Sequence, residues 1–147
     1  MKIISVVILI LIIICNDGYC YNLNSNKVID GIIMAESSGR SIPGKCGEYG
    51  IMQITKPVVI DYNKANGTKH SHIDMLNPDI CRKIGTWRWT KEIPSILRRR
   101  KLQDTLYIRA MLYTCGTKST IKYLKKGYTP KRVRIWLINV KKYLKTH

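Results

Sequence analysis

The chain has 147 residues, with 26 Lys and Arg against 9 Asp and Glu, which gives a formal net charge of +17. This length corresponds to one domain and excludes a two-domain cofactor enzyme. The apolar content of 45% is sufficient for a hydrophobic core, so wholesale disorder is not expected despite the charge.

The N-terminus has the pattern of an export signal. Lys2 precedes an apolar run over residues 3–14, which is short for a membrane-spanning helix. We predict a signal peptide over residues 1–20, with an uncleaved N-terminal membrane anchor as the alternative. In either case residues 21–147 form the domain, and we expect it to be secreted, periplasmic or held at the outer side of a membrane.

The rest of the chain carries the start and stop signals of a series of short helices rather than those of strands. Each predicted helix start combines a capping residue with a proline or with apolar residues at helical spacing. These starts are Asn26, Thr55-Pro57, Asn77-Pro78, Asp104 and Thr129-Pro130, and the predicted stops include Gly67, Pro94 and Gly116. Residues 39–49 are glycine-rich and predict a loop or a small hairpin. The fold class is therefore all-α or mainly α, with about five or six short helices.

One glutamate lies where a purely structural helix would carry an apolar residue. Glu36 follows Ile29, Ile32 and Ile33 at helical spacings, so it shares their buried face at the end of the first predicted helix. Burial and the negative end of the helix dipole both favour the neutral acid. A carboxyl group that stays protonated near neutral pH can act as a general acid. The alternative is a half-buried glutamate paired with a nearby cation.

Three sequence blocks beginning at Glu36 resemble a known pattern. Glu36-Ser37 is followed by the block 50–54, which reads Gly-Ile-Met-Gln-Ile, and then by Ala110 and the block 113–116, which reads Tyr-Thr-Cys-Gly. In order and spacing these blocks resemble the lysozyme-like domain of the soluble lytic transglycosylases, most of all its small phage-type members. The resemblance covers roughly residues 26–143. It implies a compact lysozyme-like fold in which the Gly-rich loop or hairpin lies beside the cleft.

The resemblance also implies roles for individual residues. Glu36 would be the single catalytic acid and base, and Ser37 would help to position its carboxyl group. Met52, Gln53 and Tyr113 would contact the substrate in the sugar cleft.

Two features depart from the family pattern. Thr114 and Cys115 stand where the third block usually has Asn and Ala. The family often has a tyrosine in the last helix that faces the catalytic glutamate, and the corresponding position here is Trp136, which carries no hydroxyl group. Tyr143 is either a core residue or a substitute for that tyrosine.

The small number of acids favours a mechanism with one carboxyl group. Most glycosidases use two carboxyl groups, but only Glu48 and Asp61 follow Glu36 closely, and both stand in polar stretches. We therefore expect a lyase-type cleavage of the MurNAc–GlcNAc β-1,4 bond of peptidoglycan. The C6 hydroxyl of the sugar would be the nucleophile, and the product would carry 1,6-anhydroMurNAc ends. The alternatives are a hydrolytic lysozyme on the same fold, an inactive cationic protein that binds wall polymer or nucleic acid, and a membrane-disrupting cationic protein.

No cofactor and no metal are expected, because the sequence has no Cys/His cluster at ligand spacing. His70 and His72 are interpreted as solvated loop residues. Removal of residues 1–20 leaves Cys46, Cys81 and Cys115, which allow one disulfide and one free thiol, and the sequence does not select the pair.

The positive charge favours anionic partners. Peptidoglycan glycan strands are the expected partner, with other anionic wall polymers as a further possibility. Nucleic acid is not expected for an exported protein, and the membrane is expected only through the N-terminal segment if it stays uncleaved. The basic last helix is interpreted as a solvated face, with docking on teichoic or phospholipid phosphate as the lesser alternative.

Overall fold

The computed structural model describes residues 22–147, so the predicted signal peptide lies outside the described residues. Helices account for most of this part of the chain, which confirms the mainly α fold class. Among residues 22–147, no helix combines the length and the apolar character that a membrane crossing requires.

The described chain alternates helices with one short hairpin. Helix α1 covers Asn26–Ser37, and strands β1 (Glu48–Tyr49) and β2 (Ile54–Thr55) pair antiparallel, with Tyr49 opposite Ile54. The elements that follow are α2 (Lys56–Asn66), a 3-10 helix (His72–Leu76), α3 (Pro78–Trp87), a π-helical segment (Arg88–Glu92), α4 (Ile93–Arg100), α5 (Leu106–Lys125) and α6 (Lys131–Thr146). Only the first strand of this hairpin lies within the predicted segment 39–49, and the turn and the second strand follow that segment.

The predicted helix starts agree with the structure to within one or two residues. The Asn77 side chain caps α3 by accepting hydrogen bonds from the backbone N–H groups of Asp79 and Ile80. At α5 the capping side chain is Thr105 rather than the predicted Asp104. Asp104 instead binds the buried guanidinium of Arg109, with oxygen–nitrogen distances of 2.6 and 2.8 Å.

The prediction that Pro94 ends its helix is wrong. The chain continues from α3 through the π-helical segment into α4, and Pro94 lies in the first turn of α4. A proline removes one helical hydrogen bond and crowds the carbonyl group four residues before it. The wider π-helical turn directly before Pro94 provides space for the ring, so the helix does not stop.

Helices α1 and α6 pack against each other and bring the two ends of the described chain together. The buried face of α1 consists of the predicted residues Val28, Ile29, Ile32 and Ile33. The opposing face of α6 buries Val133, Trp136, Val140 and Leu144. Gly31 lies at this contact, where a Cβ atom would come within 3.4 Å of the side chains of Val140 and Tyr143. Residues near the C-terminal end of α1 therefore face the first half of α6.

The hairpin is fixed to its neighbours by specific contacts. His72 binds the carbonyl oxygen of Ile54 through Nε2 at 2.8 Å and stacks on the Tyr49 ring at a centroid distance of 4.4 Å. The prediction that His70 and His72 are solvated is therefore wrong, because both rings are half-buried. The polar residues around His72 suggested solvent exposure, whereas its contacts are with Ile54 and Tyr49, which lie about 20 residues earlier in the chain.

Replacement of Gly50 by Ala is expected to lower the free energy of unfolding by about 3 kcal/mol or more. Gly50 has a φ of +81°, and a Cβ atom there would overlap the carbonyl oxygen of Met75 and lie 2.7 Å from Cys81 Sγ. Gly47→Ala is the matched control, because Gly47 has a φ of +83° but no atom within 4 Å of the added Cβ. The control should cost only about 1–2 kcal/mol. Urea unfolding of both variants measures the difference, and equal losses would contradict the close packing at Gly50.

Candidate active site

Glu36 is the penultimate residue of α1 and faces α6. Its side chain is half-buried, and the indole Nε1–H of Trp136 donates a hydrogen bond to Oε1 at 2.9 Å. Trp136 is the α6 residue at the position where the resemblance implied a tyrosine. An indole N–H donor thus contacts the carboxyl group at that position.

The environment of Glu36 favours its neutral form. Burial raises the pKa of Glu36 from its ordinary 4.5 to about 7, and the negative charge of Glu48 also raises it. The hydrogen bond from Trp136 and the positive charges of Arg132 and Arg88 lower the pKa, but together they do not offset burial. Near pH 7 the carboxyl group is thus about half protonated and can both give and take a proton.

Tyr113 lies next to Glu36 and forms part of an aromatic wall. It is buried, its hydroxyl group donates a hydrogen bond to the carbonyl oxygen of Met52 at 2.8 Å, and its ring lies 6.1 Å from the Trp136 ring. Burial and the Glu36 charge hold the pKa of Tyr113 well above its usual range, so it remains a neutral phenol. The Arg88 guanidinium lies 5.4 Å from the centre of the Tyr113 ring.

Ser37 fixes the hairpin rather than the carboxyl group. Its hydroxyl group donates to the carbonyl oxygen of Ile51 at 2.8 Å and approaches that of Ile33 at 3.4 Å. Within residues 22–147 no hydrogen bond joins Ser37 to the Glu36 carboxyl group. The contact with Ile51 ties the turn between β1 and β2 to the end of α1, beside Glu36.

Met52 and Gln53 occupy different environments. The Met52 side chain is fully buried, and its sulfur atom packs against Gly85, so the expected contact with a substrate is wrong for this side chain. An unbranched apolar side chain fills the core there, and only the Met52 carbonyl oxygen reaches the site, through Tyr113. Gln53 is half-buried, and its amide donates to the carbonyl oxygens of Ile42 and Gly50 at 3.0 and 2.8 Å.

A small pocket opens beside these residues. It is lined by Gln53, Ile54, Thr55, Val58, Arg88 and Tyr113. A larger pocket of about 500 Å³ lies between the hairpin, α2 and the 3-10 helix, and none of the residues that influence the pKa of Glu36 lines it. The smaller pocket has a volume of about 20 Å³, which holds about one water molecule, and it shares Arg88 and Tyr113 with the surroundings of Glu36. Glu36 itself lines neither of these two pockets.

The side chain of Thr114, one of the two departures in the third block, is bound within its own helix. The Thr114 hydroxyl group donates to the carbonyl oxygen of Ala110 at 2.8 Å, within its own helix. The Thr114 carbonyl oxygen accepts a hydrogen bond from Arg132, which holds this cation near Glu36. The sequence reasoning missed Arg132, although its position one turn before Trp136 on α6 is a signal for it.

Cys46, Cys81 and Cys115 are all free thiols: Cys46 is exposed, Cys81 is buried and Cys115 is half-buried. In the part of the chain that the structure describes, no group of three or more His, Cys, Asp or Glu side chains could hold a metal ion.

The site residues come from α1, the hairpin, the π-helical segment, α5 and α6, so segments far apart in the sequence contribute to the surroundings of one carboxyl group. No protein-family model, curated protein or solved structure matches this chain. A functional assignment therefore rests on the residues around Glu36.

The variant Glu36→Gln is expected to be more stable than the parent protein above pH 7. Folding raises the pKa of Glu36, so the proton stabilises the folded state fully below pH 4.5, and this contribution is lost as the pH rises through about 7. The loss amounts to at most about 3 kcal/mol. Urea unfolding of both proteins at pH 4 and pH 8 isolates this contribution, because all other titrating groups are shared. A stability difference that is the same at both pH values would show that burial does not perturb Glu36.

Proposed function

We propose that this chain is an exported lytic transglycosylase with a lysozyme-like fold, which cleaves peptidoglycan at the β-1,4 bond between MurNAc and GlcNAc. The observation that carries the proposal is a half-buried carboxyl group, Glu36, whose pKa is raised to about 7. The three sequence blocks that resemble the transglycosylases also support it, because their residues contact one another. Ser37 binds Ile51, and Tyr113 binds Met52.

The first chemical step uses the neutral acid. Glu36 donates its proton to the glycosidic oxygen, and the bond between that oxygen and C1 of MurNAc breaks. The N-acetyl carbonyl group of MurNAc stabilises the positive charge that develops at C1. A pKa near 7 suits this step, because the acid is still protonated in a large fraction of molecules at neutral pH.

The second step returns the proton. The C6 hydroxyl group of the same sugar attacks C1, and Glu36, now ionised, takes the hydroxyl proton. The product carries a 1,6-anhydro ring, and no water is consumed. Because the nucleophile belongs to the substrate, proximity replaces a second carboxyl group of the protein.

Trp136 favours one oxygen of Glu36 as the carrier of the proton. The indole N–H donates a hydrogen bond and cannot accept one. An unprotonated Oε1 is the better acceptor for this N–H, so the hydrogen bond favours the transferable proton on Oε2. The same hydrogen bond stabilises the carboxylate between the two steps, which is consistent with its lowering effect on the pKa.

The overall charge fits the proposed substrate. A net charge of +17 attracts anionic wall polymers over long range and raises their encounter rate with the protein.

Wild-type protein incubated with purified sacculi should release anhydro-muropeptides, and Glu36→Gln should reduce the rate by about 10²–10⁴-fold. Release should also decline as the pH rises through about 7, since the first step needs the protonated acid. Mass spectrometry identifies the product, because each anhydro end is one water lighter than a reducing end. Asp61→Asn, which removes an exposed carboxylate on α2, is the matched control and should keep full activity. Undiminished release by Glu36→Gln would refute the proposal, and binding of sacculi without release by the wild type would support an inactive wall-binding protein.

A hydrolytic lysozyme is the second candidate, and one observation favours it. The Glu48 carboxylate on β1 is close enough to Glu36 to raise its pKa. The backbone N–H of Cys46 donates to Glu48 Oε2 at 2.9 Å, which restrains the Glu48 side chain. A second carboxylate facing a general acid could activate a water molecule or act as a nucleophile.

Glu48→Gln separates the two reactions. A transglycosylase should keep producing anhydro ends, and its activity should fall at a lower pH than in the wild type, because loss of the Glu48 charge lowers the pKa of Glu36. A hydrolase that uses Glu48 should lose release of reducing ends by about 10²-fold or more. The amide oxygen of Gln can still accept the hydrogen bond from Cys46, so the loop should keep its conformation. Muropeptide masses and the pH profile of release measure both effects.

A further inference from the structure

We propose that the outer face of α6 docks on an anionic phospholipid bilayer. This outer face is defined by Lys131, Arg134, Ile135, Ile138 and Lys142. The inference is independent of the proposed catalytic function, because it uses the side of α6 that points away from Glu36.

The five residues lie on one side of the helix. They recur at spacings of three and four, which places them along one stripe of an α-helix. The opposite stripe consists of residues buried against the rest of the domain, namely Val133, Trp136, Val140 and Leu144. Ile135 is 48% exposed and Ile138 is 64% exposed, so neither isoleucine belongs to the core of the described protein.

Charge surrounds this apolar pair. Lys131 precedes Ile135 by one turn and Lys142 follows Ile138 by one turn, while Arg134 flanks both. All three cations are exposed. No Asp or Glu occurs in α6, which reads KRVRIWLINVKKYLKT. The outer face is therefore complementary to a negatively charged surface along its whole length.

The combination of isoleucine with flanking cations favours a bilayer over a polyanionic polymer. A helix that lies in a membrane interface inserts its apolar side chains at the acyl boundary and places Lys and Arg among anionic headgroups. A wall polymer would use the cations alone and leave both isoleucines in water. The exposed isoleucines thus point to phospholipid.

Docking through this face would orient the domain. Trp136 projects from the buried side of α6 toward Glu36. With α6 flat on a bilayer, Glu36 would lie on the far side of the helix, about 10 Å or more from the headgroups. The carboxyl group of Glu36 would then point away from the bilayer, toward any polymer that lies above the membrane surface.

The test is a lysine footprint on the full-length protein. The protein is mixed with vesicles of phosphatidylcholine, or of phosphatidylcholine with phosphatidylglycerol, and lysines are acylated and quantified by mass spectrometry. The anionic vesicles should protect Lys131 and Lys142 by roughly tenfold, while the exposed Lys64 on α2 stays reactive. This site-resolved readout separates the outer face of α6 from any membrane contact of residues 1–21.

Matched variants identify the cause of protection. Ile135→Gln/Ile138→Gln should weaken the protection by roughly tenfold, since two apolar side chains no longer insert. Ile60→Gln/Ile73→Gln is the control, because those isoleucines are 55% and 57% exposed on other elements, and it should have no effect. Arg134→Gln should weaken the protection roughly fivefold. Thermal unfolding confirms that each variant is folded.

Three results would overturn the docking surface. Equal protection of Lys64 would indicate adsorption without a defined orientation. Protection that depends on Arg134 but is unchanged in Ile135→Gln/Ile138→Gln would indicate attraction by charge alone, as expected for a wall polymer. Absence of protection on anionic vesicles would exclude the bilayer as the partner.

Discussion

A carboxyl group enclosed between two packed helices is the constraint on which the other features of this protein depend. Glu36 and Trp136 are separated by 100 residues in sequence, and they meet because α1 and α6 bury their apolar faces against each other. The same burial removes water from the carboxyl group and raises its pKa to about 7. The packing that stabilises the fold therefore also makes it less stable at high pH, since the ionised form is costly in that position.

The sequence blocks around Glu36 act mainly to hold the hairpin in place. Ser37 from α1 and Tyr113 from α5 donate hydrogen bonds to two successive carbonyl oxygens, those of Ile51 and Met52. Gly50 begins this turn, and the buried Met52 side chain anchors it in the core. These contacts hold β1 in place and with it Glu48, whose charge acts on Glu36. Ser37 and Tyr113, for which the sequence suggested roles at the substrate site, thus influence the surroundings of Glu36 by holding the backbone of the hairpin.

The sequence predicted the features that depend on local spacing. Apolar periodicity located the buried faces of α1 and α6, capping residues located the helix starts, and the position of Glu36 on a buried stripe indicated a perturbed acid. Features that depend on contacts between distant segments were not predictable. The hydrogen bond from Trp136 and the burial of Met52 arise from packing across the domain. Pro94 failed as a helix stop because a π-helical turn, which has no clear local signature, relieved its steric conflict.

The surplus of cations raises the question of why the pKa of Glu36 is raised rather than lowered. Exposed charges beyond about 8 Å are screened at physiological salt, so most of the net charge acts weakly on a shielded carboxyl group. Two cations lower the pKa of Glu36, and both are held by other partners. Arg88 pairs with Glu92 at 3.1 Å and lies over the Tyr113 ring, and Arg132 donates to the Thr114 carbonyl oxygen. Neither arginine forms an ion pair with Glu36 in the described part of the chain. The effect of these cations is smaller than that of burial, so the pKa of Glu36 is raised to about 7 even in a strongly basic protein.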